Sequence, residues 1–154
     1  MAKLHVELVT AEGRVLSEEA DFVRAPGLAG ELGVLPRHIP LMTPLKTGEV
    51  LVRNDGNEDY LFVAGGFLQV LPDKVVILAD AAERAEDIDE ARAEEARRRA
   101  EQLIEQRATD EEAAEAAAAL ERALFRIRIA ELRKGTRRGR GPGSPSHPSA
   151  TGES

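Results

Sequence analysis

The sequence predicts an all-β half, sandwich or barrel, joined to an antiparallel helical hairpin: a two-domain α+β chain. Three observations carry this. Up to about residue 86, apolar and polar residues alternate in short runs separated by turn residues. From Asp87 to Lys134, Gly and Pro are absent and Ala, Glu and Arg dominate. From Gly135 to Ser154, Gly, Pro and Ser occur throughout with almost no apolar residues. The expected division is therefore 1–86 for the β domain, 87–134 for the hairpin and 135–154 for a basic tail. Such a tail cannot bury enough surface to offset the ordering of its backbone, so disorder is expected there.

In the β domain, "KLHVELV" alternates Leu4, Val6 and Leu8 with His5 and Glu7, the pattern of a half-buried strand. Turns are expected at Glu12-Gly13, Asp55-Gly56 and Pro72-Asp73, between β-rich runs such as "VLVRN", "YLFVA" and "KVVILA". Strands this short and this closely spaced argue against a parallel α/β sheet. Gly65-Gly66 interrupts a strand and marks a bulge or a close backbone contact. The stretch "GLAGELGVLPRHIPLMTPLKTGEV" is not a phosphate cradle, because no helix follows to supply an N-terminal dipole. Its Pro36, Pro40 and Pro44 punctuate strands and turns.

The helical segment offers two N-terminal signals. Asp87 with Glu90 and Thr109 with Glu112 each resemble a capping box, so a break between Gln106 and Asp110 yields two helices. In the second, Ala113, Ala116, Leu120, Ala123, Ile127 and Ala130 form one stripe; the first offers Ala93, Ala96, Ala100, Leu103 and Ile104. Burying an alanine methyl gains only ~0.8 kcal/mol where leucine gains ~2. Isolated helices of this length are also marginal in water. The expectation is an arm weakly attached to the β domain, suited to two arrangements a few kcal/mol apart. The competing reading is a permanently docked alanine coiled coil.

Composition excludes several function classes. Zero cysteines remove disulfides, thiol catalysis and Cys-ligated metal. His5, His38 and His147 are far apart, no HxxxH, HExxH, GxxxxGK[ST] or GxSxG spacing occurs, and Ser17 has no histidine near it in sequence. Neither an enzyme nor a metal site is expected. The net charge is −7, and the end from Arg133 carries five cations against Glu153 alone, leaving the preceding residues at −11. Such an acidic body repels nucleic acid, and no aromatic platform accompanies the arginines. No apolar run is long enough to span a membrane, and "MAKLHVELVT" lacks a signal core, so neither secretion nor organelle import is expected.

"GELGVLPRHIPLMTPLKTGEV", then "FVAGGFLQV", then "VVILADAAERAEDIDEARAEEARRRAE" give the chain a family resemblance. Over about residues 3–134 it resembles the epsilon subunit of the bacterial F-type ATP synthase. The resemblance implies a β-sandwich of about ten strands followed by two helices. It implies a non-catalytic rotor (central-stalk) subunit that helps couple proton flow to ATP synthesis. The sandwich would bind the gamma subunit and rest on the c-ring, at the cytoplasmic face of the cell membrane and peripheral to it. The hairpin would inhibit ATP hydrolysis. Glu31 and His38 match positions facing gamma and the c-ring. Two rivals remain: a purely structural rotor subunit with a fixed hairpin, and a free-standing ATP-binding sensor.

In some bacterial members the folded hairpin binds ATP without hydrolysing it. Their motif, Ile or Leu then Asp-x-x-Arg-Ala, appears as Ile88, Asp89, Arg92 and Ala93; further matches are Glu83, Arg99, Arg122 and Arg126. ATP is thus implied as a regulatory ligand, with no other cofactor. Arg92 and Arg99 share one helix face, and Arg122 and Arg126 another, with forked donors suited to phosphate. Asp89 and Glu83 would accept from adenine or ribose, or orient an arginine. On release, the helices would extend along gamma toward the catalytic alpha and beta subunits, and Arg122, Arg126 and Arg128 would pair with acidic groups of beta. The alanine-rich "AAEAAAAL" (Ala113 to Leu120) and the basic tail depart from the family pattern.

Overall fold

A computed structural model describes residues 2–106 and 109–139, with side chains to 135. Eight strands run in chain order: β1 (Leu4–Thr10), β2 (Gly13–Ala20), β3 (Phe22–Gly27), β4 (Gly30–Val34), β5 (Leu41–Asn54), β6 (Asn57–Val70), β7 (Lys74–Ala79) and β8 (Ala82–Arg84). A 3-10 turn (Ala85–Asp87) leads into α1 (Glu90–Glu105) and then α2 (Asp110–Gly139). The sheet order is β2-β1-β7-β6-β5-β3-β4, with β8 also paired to β6. Only β1 with β7 pairs in parallel among these strands.

Eight strands replace the expected ten because β5 and β6, 14 residues each, run through both layers of the sandwich. Residues 66–70 of β6 pair with β7, whereas residues 61–63 pair with β8. Most of the β3 pairing falls on the second half of β5. Counting each long strand as two halves recovers ten. The sheet folds over along these strands until β2 touches β5 and β8 across the interior. Arg84 donates to the Val15 carbonyl at 3.2 Å from both Nε and Nη2, which closes the β2 edge.

The turns fall where sequence placed them. Asp55 and Gly56 both take positive φ and join β5 to β6 at the Asn54–Asn57 pair, the tight hairpin geometry that suits strand twist. Gly66 resolves as a close contact: at φ +127 its Cβ would stand 2.0 Å from the Leu78 carbonyl oxygen. Leu4, Val6, Leu8, Leu61, Val63, Leu68, Val75 and Ile77 build the main core. Lys3 binds Asp21, Asn54 and Asp55, tying the start of the chain to two turns.

A second core lies on the outer face of β6. There Phe62, Ala85, Ile88, Ile129 and Ala130 are buried together, with Tyr60, Ala64 and Phe125 packed around them. The hairpin is therefore attached by more than alanine. The inter-helix seam holds Ala93, Ala100, Ala116 and Ala123, as the stripes require, but the deepest residue of α2 is Ile129 rather than Ile127. Ile129 faces the sheet, a second partner that one stripe does not describe. Leu103 and Ile104, expected in the seam, are 43% and 41% exposed.

Two boundaries move. The cap of α1 is Asp89 rather than Asp87: its Oδ1 accepts the Arg92 N–H at 3.1 Å. Residues 85–87 are taken up by the 3-10 turn, which seats Ile88 in the second core and delays the helix. Thr109 caps α2 as expected, accepting the Glu112 N–H at 3.3 Å. That helix continues past Lys134 to Gly139. A glycine within a helix costs only about 1 kcal/mol, so Gly135 does not end it. The disorder expected of the tail lies, from residue 140, outside the described residues.

Candidate functional site

Where β8, the 3-10 turn and both helices meet, a cavity of about 550 Å³ opens, lined by Glu83, Asp87, Asp89, Arg92, Ala93, Glu95, Ala96, Arg99 and Arg126. Each element brings its side chains there for a local reason. Glu83 is the cross-strand partner of Phe62, so its carboxylate stands on the outer face of the sheet that α2 covers. Arg126 of α2 lies with its guanidinium carbon 4.5 Å from the centre of the Phe62 ring. It donates to Glu83 Oε1 from Nε and Nη2, at 2.9 and 2.8 Å. A half-buried ion pair stacked on an aromatic ring thus joins α2 to the sheet.

The opposite wall is α1. Arg92, Glu95 and Arg99 follow at three- and four-residue spacing and share one face. Arg99 Nη2 binds Glu95 Oε1 at 2.8 Å. One Asp89 oxygen holds the helix cap, so this aspartate plays its structural part and still lines the cavity. Ala93 and Ala96 complete the lining on this side. A second ion pair, Lys134 to Glu90 at 2.8 Å, fastens the first turn of α1 to the body of α2.

Of the eight residues matched to nucleotide binding, the structure gathers Glu83, Asp89, Arg92, Ala93, Arg99 and Arg126 around this cavity. Ile88 is instead buried in the second core, where it sets the position of the cap. Arg122 lines a different cleft, about 510 Å³, with Leu103, Glu112, Glu115 and Ala116. Four residues, about 6 Å of helical rise, separate it from Arg126. Arg128 is exposed beside Tyr60, Glu131 and Leu132. Glu31 is ion-paired to Arg24 at 3.1 Å, and the His38 Nδ1–H donates to the Ile39 carbonyl at 2.7 Å. Glu95 and Phe62 were not singled out from sequence, and Asp87 only as a helix cap. For Glu95 the signal was present, since it stands three residues from Arg92 and four from Arg99.

Three guanidinium groups around a cavity within the usual range for small ligands can hold a polyanion, and the carboxylates can accept from a base or sugar. Nothing at the site resembles a nucleophile with its base. Ser17 does have a histidine partner in space: its Oγ lies 3.4 Å from His5 Nε2, and His5 Nδ1 lies 3.1 Å from Glu19. Ser17 is exposed, and Glu7 meets the same Nε2 at 3.4 Å, so the trio is a cross-strand polar ladder on β1 and β2. Among the described residues, no cluster of His, Asp and Glu suits a metal ion, and no helix is long and apolar enough to cross a membrane.

Comparison with known proteins covers nearly the whole described chain. The family described as ATP synthase, Delta/Epsilon chain, beta-sandwich domain, matches residues 3–85. The companion long alpha-helix domain matches residues 86–131. An ATP synthase epsilon chain of Dehalococcoides mccartyi is 52% identical over 135 residues, covering 87% of this chain and 96% of that one. One from Herpetosiphon aurantiacus is 50% identical over 131 residues, covering 85% and 96%. Among solved structures, a chain of the Euglena gracilis mitochondrial ATP synthase OSCP/F1/c-ring assembly superposes with TM-score 0.73 at 25% identity, covering 86% of this chain and 82% of that one. A chain of the Tetrahymena thermophila central stalk and c-ring shares the fold, with TM-score 0.55 at 14% identity, 83% and 96% covered.

Proposed function

The chain belongs to the ATP synthase delta/epsilon family, and from that premise we propose that it is a non-catalytic central-stalk subunit whose hairpin binds ATP and restrains ATP hydrolysis. In this reading it helps couple proton flow to ATP synthesis, peripheral to the membrane at its cytoplasmic face. The observation that carries the regulatory part is the cavity between the helices and the sheet. A ligand there touches Glu83 on β8, Arg92 and Arg99 on α1 and Arg126 on α2 at once. It therefore favours the folded hairpin over any arrangement that separates these elements, which is the differential affinity that a switch requires.

Assembly rests on another surface. On the outer face of the other layer, Pro44, Phe67 and Leu78 are cross-strand neighbours on β5, β6 and β7, and Phe67 and Leu78 are more than half exposed. Met42 extends this patch, while Leu28, Leu35 and Ile39 stand out around β4 and the loop carrying His38. Apolar surface of this extent marks a protein interface. Gamma and the c-ring are the partners proposed for it, with Glu31 and His38 on the loop side. Released helices would carry Arg122, Arg126 and Arg128 to the alpha and beta subunits.

Deleting residues 88–154 and reassembling the complex tests inhibition: hydrolysis should rise, and unchanged activity would refute it. Titrating the isolated chain with ATP tests the ligand. Arg92→Ala with Arg126→Ala should abolish binding, and equal binding by variant and parent would overturn the site. One observation favours a second reading, the purely structural hairpin. The core around Phe62 and Ile129, with the Arg126–Glu83 ion pair, fastens α2 firmly to the sheet, and Lys134–Glu90 fastens α1 to α2. Truncation separates the two. Co-purification with gamma separates both from a free-standing sensor.

A further inference from the structure

The cavity is electrostatically self-opposed. Four carboxylates line it against three guanidinium groups, one negative charge in excess, although the ligand assigned to it is a polyanion. Two of those carboxylates have structural work: Glu83 holds Arg126, and Asp89 caps α1. Glu95 does not. It lies between Arg92 and Arg99 on the cavity face of α1, with its Oε1 2.8 Å from Arg99 Nη2.

Building on the nucleotide-binding reading above, we propose that Glu95 is a tethered competitor for phosphate, a positioning residue that occupies Arg99 and lowers the affinity of the hairpin for polyphosphates. Nη2 is only one of the Arg99 donors, so a phosphate is gripped either by its remaining N–H groups beside Glu95 or after that pair opens, and neither route removes Glu95. Its carboxylate then stays one helical turn from the incoming oxygens, because α1 fixes both backbones. Both side chains are about 70% exposed, at 68% for Glu95 and 71% for Arg99. Exposed pairs of this kind are weak, so Glu95 penalises phosphate binding without blocking it. The penalty grows with ligand charge and sets the ATP concentration at which the hairpin closes. The neighbouring Glu94 supplies an internal control. It carries the same charge on the same helix, pairs with Arg97 at 2.8 Å and does not line the cavity.

The test is calorimetric titration of the full chain with ATP, ADP and AMP at low and high salt, for the parent, Glu95→Gln and Glu94→Gln. Glu95→Gln is expected to bind ATP roughly tenfold tighter, the scale of one nearby charge at a protein surface. The gain should shrink from ATP to AMP and fade in salt. Glu94→Gln should stay within about twofold of the parent, as expected for a half-buried charge paired to Arg97 and outside the cavity lining. An ATP affinity in Glu95→Gln equal to the parent's overturns this proposal and leaves the nucleotide site standing. So does an equal gain for all three ligands, which indicates a helix-stability effect, or a matching gain in Glu94→Gln. Binding by Glu95→Gln where the parent shows none supports it. No binding by either protein overturns both readings.

Discussion

Replacing Ile129 with alanine should release the hairpin while leaving the sandwich intact. Ile129 is fully buried and belongs to the core built on Phe62, which shares no buried residue with the main core of the sandwich. The substitution removes three carbons, about 2.4 kcal/mol of transfer free energy at ~0.8 kcal/mol each. A cavity term raises this to about 3 kcal/mol, within the usual range for such changes. At about 1.4 kcal/mol per decade, local opening of α2 becomes roughly a hundredfold more frequent. Amide hydrogen exchange read by mass spectrometry is the assay. Peptides from α1 and the middle of α2 should lose protection by that factor, while those from β1 and β7 keep theirs. Leu124→Ala, at a position 48% exposed on the same helix, should change little. Unaltered exchange in α2 would show that Ile129 is not the anchor. Equal loss in β1 and β7 would show that both cores open as one unit, and would remove the physical basis for an independently mobile arm.

Gly66→Ala should unfold the sandwich or lower its stability by at least ~3 kcal/mol, because the strain combines a left-handed φ with a backbone overlap; a urea midpoint near the parent's would contradict the contact. Asp89 has two roles that substitution separates: Asn is as good a cap, whereas Ala loses about 1 kcal/mol of helix stability. Asp89→Asn should therefore keep the parent's helix content by circular dichroism but weaken ATP binding, and full retention of binding would reduce Asp89 to a cap. Glu18, which faces the interior from β2, has its carboxyl pushed up from 4.5 to about 7, first by burial and then by Asp59, with Arg84 opposing. The folded chain then holds a proton that the unfolded chain releases, so this contribution is whole below pH 4.5, falls as pH rises toward 7 and is flat above. Urea midpoints of Glu18→Gln should lack that decline, and a parallel decline in parent and variant would assign it elsewhere.

What could be read from sequence follows from which faces are wet. β1 was plain because its outward residues meet solvent and alternate with the core. The central parts of β5 and β6 are covered on both sides, by the opposite layer and by α2, so residues 48–52 and 61–63 show no alternation. Two long strands therefore gave no sign of their length. Ile129 escaped for the same reason. A helix packed on both a partner helix and a sheet has two buried directions, and one stripe records only the first. Sequence points to Asp87 as the cap of α1 because its spacing to Glu90 suits a capping box; burial of Ile88 moves the cap to Asp89. At the cavity, Arg92 and Arg99 followed from spacing along one helix. The meeting of Glu83 with Arg126, 43 residues apart, depends on how α2 lies across β8. Helical spacing misled for Arg122, since sharing a face with Arg126 does not give it the same depth along the axis.

The two attachments of the hairpin differ in strength, and that difference bears on how a ligand would act. α2 holds the sheet through Phe62, Phe125 and Ile129 and through the Arg126–Glu83 pair. α1 holds α2 through small side chains and one ion pair at its first turn. The weaker seam, between the helices, is the one the cavity spans. Moving the whole hairpin from 1:99 to 99:1 requires ~5.5 kcal/mol of differential binding. Biasing α1 alone requires less, because α2 keeps an apolar anchor of its own. Under the proposed function, a nucleotide bridging Arg92 and Arg99 to Arg126 would act on that seam directly, and its loss would free α1 first. Release of α2 then needs a competitor for its apolar face as well as for Arg126. On the proposed function, the partner that captures the extended arm must therefore offer hydrophobic surface along with acidic groups.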